Sequence, residues 1–171
     1  MTRIALFSDT HGYFNEAYLD YFVECDEIWH AGDFGQDDFL QRLETGMANR
    51  NIKAVLRGVY GNIDDTKIRN RFPELLVFEC EQVKVMMKHI GGYPGRYAPG
   101  VKNEMLLHKP ALFISGHSHI LKIMYDQQFN CLHINPGAAG NQGWHKTKTM
   151  VRFVIDEREI RDCEIIEMGP R

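Results

Sequence analysis

The sequence predicts an α/β protein in which two mixed β-sheets pack together and helices cover the outside. Up to residue 71, short apolar runs typical of buried strands alternate with apolar residues at helical spacing, which favours parallel strands joined by crossover helices. From residue 75 onward, strand patterns predominate and several follow one another directly, which indicates antiparallel pairing as well. We expect residues 1–171 to form a single domain.

Strands and helices alternate in the first part of the chain. The predicted strands are residues 4–7, 27–31 and 52–56. The predicted helices are residues 14–25, 39–47 and 64–71. This order is typical of parallel strands connected by helices that cross one face of the sheet.

The second part of the chain contains two predicted hairpins. The first joins residues 76–78 to residues 83–87, and the last joins residues 150–155 to residues 160–166. A Gly- and Pro-rich surface loop, a helix and two apolar strands lie between them, at residues 91–100, 101–106, 111–114 and 131–134.

Composition and charge exclude several classes of protein. The net charge of −3 and the pI near 6.2 give no general attraction to a nucleic-acid backbone. No apolar run approaches the ~18 residues that a membrane crossing needs, and the first apolar run is too short for a signal peptide. The cysteines are widely separated, as is typical of reduced thiols. We therefore expect a cytoplasmic protein that does not bind membranes.

Residues of the metal-ligand types follow five of the predicted strands. His117 and His119 come directly after strand 111–114, and a glycine precedes them in the turn. Such a histidine pair is a weak signal by itself, and a polar loop is the simpler interpretation. The other strand ends carry Asp9, His11, Asp33, Asn62 and His89. Because sites form at the carboxyl ends of strands in open α/β sheets, these residues are expected to converge.

The seven residues supply two carboxylates, one amide oxygen and four imidazoles. This mixed set suits Mn, Fe, Zn or Co better than the all-oxygen shells that Mg and Ca prefer. Seven ligands are too many for one tetrahedral ion. If one carboxylate bridges, they suffice for two ions about 3.5–4 Å apart, the spacing of two-metal hydrolases.

Six short motifs occur in order along the chain. They are SDTHG at 8–12, HAGD at 30–33, GNID at 61–64, KHIGG at 88–92, GHSH at 116–119 and NPGAAG at 135–140. In this order they resemble the calcineurin-like metallophosphoesterases, in particular the small bacterial and archaeal phosphodiesterases of the YfcE-like subgroup. The resemblance implies a four-layer α/β/β/α sandwich.

The resemblance also implies a ligand set and an activity. It assigns Asp9, His11 and His119 to one ion, Asn62, His89 and His117 to the other, and Asp33 to the bridge between them. It implies a phosphodiesterase that hydrolyses small phosphodiesters or organic phosphates by attack of a metal-bridged hydroxide. Asp33, Asn62 and His117 are then the catalytic residues. Manganese is the expected metal, and zinc, iron, nickel, cobalt and magnesium are alternatives.

Two positions depart from the family pattern. Many larger members have a histidine where this chain has Ile63, and that histidine is thought to protonate the leaving group or steady the transition state. General acid catalysis typically contributes ~10²–10⁴-fold, so the chain is expected to favour good leaving groups or to use another donor. Lys88 and Ile90 flank His89, where threonine and glycine are common in the family.

Other polar residues have weaker signals. Arg96 and Tyr97, in the loop at 91–100, are candidate substrate-binding residues, although ordinary turn chemistry explains them equally well. We expect His30 to make a structural hydrogen bond. His145 belongs to a basic stretch with Lys146 and Lys148 that is expected to be solvated, with a contact to substrate as the alternative. Asp64 and Asp65 are expected to start a helix, with proton relay by one of them as the alternative.

Two alternatives to the enzyme remain open. The first is a non-catalytic scaffold of the same fold that binds protein partners, as in the retromer subunit that resembles this family. Ile63 favours this alternative, whereas the complete ligand set favours the enzyme. The second is a single structural zinc, which would leave several buried polar groups unpaired at ~1–3 kcal/mol each. A homo-oligomer is compatible with either function.

Overall fold

The structure is a computed structural model that describes residues 1–36 and 38–171 in full and residue 37 in its backbone. It contains the two mixed sheets predicted from the sequence, each of five strands. The strands of the first sheet are β1 (Thr2–Phe7), β2 (Glu27–His30), β3 (Val55–Gly58), β11 (Thr147–Asp156) and β12 (Glu159–Pro170). Their spatial order is β12-β11-β1-β2-β3, in which β1, β2 and β3 are parallel and the final hairpin is antiparallel.

The second sheet repeats this mixture of parallel and antiparallel pairs. Its strands are β4 (Leu75–Cys80), β5 (Val83–Lys88), β8 (Leu112–Ile114), β9 (Leu121–Asp126) and β10 (Cys131–Pro136). Their order is β4-β5-β8-β10-β9, and β5, β8 and β10 run parallel at the centre. The outer strands β4 and β9 are antiparallel to their neighbours.

Short helices connect the strands. They are a 3-10 helix (Glu16–Tyr21), α1 (Asp37–Asn49), α2 (Thr66–Arg71) and α3 (Val101–His108). A small hairpin of β6 (Gly92–Tyr93) and β7 (Arg96–Tyr97) lies within the predicted surface loop. None of the helices that the structure describes combines the length and the apolar composition that a membrane crossing requires.

Three apolar clusters separate four layers. In β1, Ile4 and Leu6 face the second sheet, whereas Ala5 and Phe7 face the 3-10 helix and α1, as the period of two in a strand requires. In the second sheet, Phe113 packs toward α3. This arrangement confirms the four-layer α/β/β/α sandwich.

Two predicted elements differ from those observed. Residues 14–25 form only a short 3-10 helix, because the backbone hydrogen bonds of this segment, such as Phe22 N–H to Leu19 O at 3.1 Å, join residues three apart. The third strand begins at Val55 rather than at residue 52. Ile52 instead packs against α1 and donates its N–H to Met47 O at 2.9 Å.

Strand β9 was absent from the sequence prediction. It lies at the edge of the second sheet beside β10, and the side chains of Ile123, Met124 and Tyr125 are exposed. Three successive apolar residues interrupt the alternation by which strands are predicted.

His133 is a buried histidine in β10. Only 1% of the residue is exposed, and neither ring nitrogen makes a hydrogen bond within the described part of the chain. Burial lowers the pKa of His133 to about 4. Between pH 6.5 and 4 the unfolded chain therefore binds a proton that the folded chain does not, and stability falls as the pH falls through this range.

We expect His133→Leu to reduce the loss of stability in acid. Between pH 6.5 and 5, the variant should lose about 1.6 kcal/mol less unfolding free energy than the wild type, since each pKa unit corresponds to about 1.4 kcal/mol and the unfolded histidine is half protonated at pH 6.5. Urea unfolding at the two pH values measures the difference, with His108→Gln as the control that keeps the wild-type dependence. Equal losses in the wild type and His133→Leu would contradict this account.

Candidate metal centre

The turns after the central strands of both sheets meet at one end of the sandwich. Backbone hydrogen bonds tie them together: Asp9 N–H donates to Gly32 O at 3.0 Å, and His11 N–H donates to Asp33 O at 3.0 Å. In the second sheet, Gly116 N–H donates to the carbonyl oxygen of His89 at 3.0 Å. The strand ends therefore bring the predicted ligands together.

The first group of ligand types consists of Asp9, His11 and His119, whose ligand atoms lie within 4.8 Å of one another. His119 Nε2 lies 3.1 Å from Asp9 Oδ1 and 3.3 Å from His11 Nε2. Ligands bonded to one ion at 2.0–2.2 Å lie about 3–3.6 Å apart. The three side chains are therefore spaced as ligands of one ion.

The second group consists of Asp33, His89 and His117, whose ligand atoms also lie within 4.8 Å of one another. His89 Nδ1–H donates to Ala31 O at 2.7 Å, which fixes the tautomer and leaves Nε2 free to bind a metal. That Nε2 is buried and lies 3.2 Å from Asp33 Oδ2 without the alignment of a hydrogen bond. An orphaned nitrogen beside a carboxylate fits a metal ligand.

Asp33 stands between the two groups. Its Oδ2 lies 3.5 Å from His11 Nε2 in the first group and 3.2 Å from His89 Nε2 in the second. Its Oδ1 accepts the N–H of Ile63 at 3.1 Å, from the turn after β3. Asp33 is 2% exposed, so this contact with both groups takes place out of bulk water.

The carboxylates and imidazoles shift each other's pKa values. Burial acts to raise the pKa of Asp33, but His89 and the Ile63 N–H outweigh it and hold that pKa below its usual range. Burial acts to lower the pKa of His89, and Asp33 and Asp9 outweigh it and raise that pKa. The hydrogen bond to Asp9 raises the pKa of His119, whereas burial lowers the pKa of His11. The site is thus a compact set of coupled charges.

Asn62 lies on the same edge of the sandwich. It is exposed and lines a cavity together with His89. Its neighbour Gly61 approaches Asp33 so closely that a Cβ there would overlap Asp33 Oδ1. Only glycine, which lacks a Cβ, permits this close approach at position 61.

Five of the ligand-type residues have left-handed backbone conformations. Their φ values are 54° for Asp9, 47° for His11, 56° for Asp33, 68° for His117 and 59° for His119. Side chains other than glycine pay about 1–3 kcal/mol for such conformations, which cluster at functional sites. The rest of the fold must hold these turns in place.

Two buried polar residues support the strained turns. Asp64 accepts the N–H of Gly35 at 2.9 Å and that of Gly61 at 2.7 Å. Asn135 donates to the Gly116 carbonyl oxygen at 2.8 Å and accepts the Gly137 N–H at 3.0 Å. Asp64 and Asp65 were both expected at a helix start. Asp65 caps α2 as expected, whereas Asp64 holds the turns at Gly35 and Gly61. The three-residue spacing from Gly61 to Asp64 is the signal for this role in the sequence.

Two histidines near the site differ in their surroundings. His30 is fully buried, accepts the Gly32 N–H on Nδ1 at 3.1 Å and contacts Thr10 Oγ1 through Nε2 at 3.0 Å, in agreement with its expected structural role. His145 is half-buried and its ring lies 5.5 Å from that of His119. Its Nε2 also lies 2.9 Å from the Gly140 carbonyl oxygen, so His145 is only partly solvated, and its alternative contact with substrate stays a prediction.

The two candidate substrate-binding residues lie in the hairpin β6–β7. Tyr97 packs against Phe113 and Phe129 and donates its hydroxyl to Asp126 at 2.6 Å, so its side chain belongs to the outer layer beside α3. This position argues against a contact between Tyr97 and the substrate. Arg96 is exposed on β7, and its predicted contact with substrate stays a prediction.

The chain is similar to known phosphoesterases. A model of the calcineurin-like phosphoesterase superfamily domain matches residues 2–158. A probable metallophosphoesterase of Methanothermobacter thermautotrophicus is 29% identical over 173 aligned residues, covering 97% of this chain and 92% of the relative.

Solved structures share the fold at lower identity. An archaeal phosphodiesterase is 19% identical with a TM-score of 0.74, covering 97% of this chain and 99% of its own. Zinc-complexed Vps29 of Entamoeba histolytica is 14% identical with a TM-score of 0.71, covering 96% of this chain and 98% of its own. At these identities the structural matches establish the fold.

We expect Asp64→Asn to destabilise the protein by about 1–3 kcal/mol. An amide has only one oxygen, so either the Gly35 or the Gly61 N–H loses its acceptor inside the protein. Urea unfolding measures the loss. Asp65→Asn is the matched control and should change stability by less than about 0.5 kcal/mol, because asparagine caps helices as well as aspartate. Equal stability of the two variants would contradict a bracing role for Asp64.

Proposed function

Because this chain belongs to the calcineurin-like phosphoesterase superfamily, we propose that it is a phosphodiesterase that uses two metal ions to hydrolyse small phosphodiesters. The observation that carries the proposal is the position of Asp33, whose Oδ2 approaches an imidazole nitrogen of each ligand group. A carboxylate in this position is suited to bridging two ions. The orphaned Nε2 of buried His89 supports the same assignment.

The proposed ligand set follows the two groups. One ion would be held by Asp9, His11 and His119, the other by Asn62, His89 and His117, and both by Asp33. When bound, two divalent ions lower the pKa of a water and neutralise charge on a phosphate. The mixture of nitrogen and oxygen ligands favours manganese, with zinc, iron, nickel or cobalt as alternatives.

The chain's own residues would orient the substrate. Asn62 and His117 are exposed, so of the ligand set these two are the most accessible to a phosphate. Asp9 is fully buried and accepts the backbone N–H of His117, at 3.2 Å on Oδ1 and 3.1 Å on Oδ2, which fixes the turn that carries this histidine. Positioning of this kind lowers the entropic part of the barrier.

Ile63 determines which substrates suit the site. It is 44% exposed on the cleft beside His11, and its side chain can neither donate nor accept a proton. The cleft therefore favours esters whose leaving groups depart without general acid catalysis.

A protein-binding scaffold is the second candidate. Ile63 favours this candidate, and so does the fold shared with Vps29. The structure of Vps29 has been solved as a zinc complex. Metal binding by itself therefore does not distinguish the two functions, and turnover must be measured.

We expect metal-stripped protein to regain phosphodiesterase activity when Mn²⁺ is added. The measurement is hydrolysis of bis(4-nitrophenyl) phosphate beside 4-nitrophenyl phosphate after addition of Mn²⁺, Zn²⁺ or Mg²⁺, together with the number of ions bound. Mn²⁺ should restore turnover of the diester more than that of the monoester. Two bound ions with no turnover of either ester would favour the scaffold.

We expect Asp33→Asn to lose both ions and all detectable turnover, because an uncharged amide oxygen is a much weaker ligand than the carboxylate Oδ2 that approaches both groups. Metal content after dialysis and diester hydrolysis are the two readouts. Asp20→Asn removes an exposed carboxylate that pairs with Arg50 and should retain both ions. Two tightly bound ions in Asp33→Asn would show that the bridging assignment is wrong.

A further inference from the structure

A cavity of about 250 Å³ opens beside Asn62 and His89. Its remaining walls include Tyr60, Arg69, Glu74, Lys88 and Ile90. We propose that this cavity binds a second, negatively charged substituent of the substrate, adjacent to the phosphate at the metal centre. The inference rests on the proposed phosphoesterase function and adds a substrate class to it.

The size of the cavity suits one substituent. Pockets that enclose a whole drug-sized ligand have volumes of ~300–1,000 Å³, so a cavity of about 250 Å³ accommodates only part of a substrate. His89 belongs to the second group, Asn62 is proposed to bind the same ion, and both residues line this cavity. A phosphate bound there would direct one of its substituents into the cavity.

Arg69 is a fixed cation at this cavity. Its Nε donates to Asp64 O at 2.7 Å, and its Nη2 donates to Gly61 O at 3.3 Å and to Asn62 O at 3.2 Å. The guanidinium also lies 4.5 Å from the centre of the Tyr60 ring. These contacts hold a positive charge beside the turn that carries Asn62, before any substrate binds. A preorganised guanidinium is well suited to bind a carboxylate or phosphate.

Lys88 is a second cation on the lining, but acidic side chains already pair with it. Its Nζ lies 2.7 Å from Glu104, outside the cavity lining, and 3.9 Å from Glu74, which is on the lining. The hydrogen bonds of Arg69, by contrast, go to neutral carbonyl oxygens, so its positive charge is the one available to a substituent. An anionic substituent is therefore favoured over a cationic one beside Arg69.

A second cleft next to the site has the reverse charge. It has a volume of about 630 Å³ and lies beside His11 and Ile63. Among the described residues that line it, Asp38 and Asp65 carry the permanent charges, and both are acidic. A substrate with one charged substituent is thereby oriented, because an anion is repelled by this cleft and attracted by the cavity at Arg69.

The test compares three 4-nitrophenyl phosphodiesters that differ only in their second alcohol. The alcohols are propanol, choline and 3-hydroxypropanoate, which give a neutral, a cationic and an anionic substituent. The measured quantity is the ratio of kcat/KM for the anionic diester to that for the neutral diester, in Mn²⁺-loaded protein. The wild type should prefer the anionic diester, and the choline diester should be the poorest substrate.

Two variants should move this ratio in opposite directions. Arg69→Met should lower it about 10–100-fold, the range expected for a lost charge-assisted hydrogen bond. Glu74→Gln should raise it about 2–10-fold, because a repulsive charge is removed from the lining while an oxygen remains for the Tyr60 hydroxyl. General damage to the site does not explain an increase. Arg71→Met, on the same helix but paired with Glu44, is the control that should keep the wild-type ratio.

The outcomes separate this inference from the proposed function. Hydrolysis of the neutral diester with no preference for the anionic one, or with a preference for the choline diester, would overturn the inference alone. An unchanged ratio in both Arg69→Met and Glu74→Gln would also overturn it. Failure to hydrolyse any diester, with two ions bound, would overturn the proposed function and the inference together.

Discussion

The contacts of one buried carboxylate, Asp33, organise this site. Its oxygens lie within 3.5 Å of His11 from the turn after β1, His89 from the end of β5, and the Ile63 N–H from the turn after β3. These turns belong to both sheets, so the carboxylate has its partners only when the two sheets stack in their observed register. Burial alone would disfavour its charge, and the surrounding donors reverse that effect. The site therefore forms only when the two sheets of the sandwich are packed together.

Left-handed turns at this end of the sandwich are unfavourable by themselves and depend on the packed layers behind them. The apolar cluster between the sheets fixes where each strand ends, and buried polar groups then hold the turns. Asp64 fixes the glycine turns after β2 and β3, whereas Asn135 fixes the turn that carries His117 and His119. Because an unpaired buried group costs about 1–3 kcal/mol, the support given by Asp64 and Asn135 is comparable with the strain that it opposes.

Much of the fold follows from local patterns in the sequence, because the apolar runs that form the central strands are buried on both faces. The ligand-type residues follow those runs directly, so their convergence at one edge was predictable from chain order. Features that depend on tertiary contacts were not predictable in this way. The exposed edge strand β9 has no alternation, the side chain of Tyr97 is directed by its contact with Phe113, and His145 approaches His119 through a turn distant in sequence.

The environment of Ile63 also limits how the site can move protons. The adjacent Asp64 is buried, which raises the pKa of its carboxyl group. A raised pKa would suit a proton donor, yet its two oxygens accept the N–H groups of Gly35 and Gly61. Protonation would break one of these hydrogen bonds and release a strained turn, so Asp64 is better suited to supporting the turns than to proton transfer.

The proposed chemistry then depends on the acidity of the leaving group, and the selectivity of the proposed enzyme comes from the charges that surround the phosphate. In the proposed function the cavity at Arg69 and the isoleucine at position 63 would act together: the cavity would determine which substituent is bound, and the isoleucine would determine which ester bond can break.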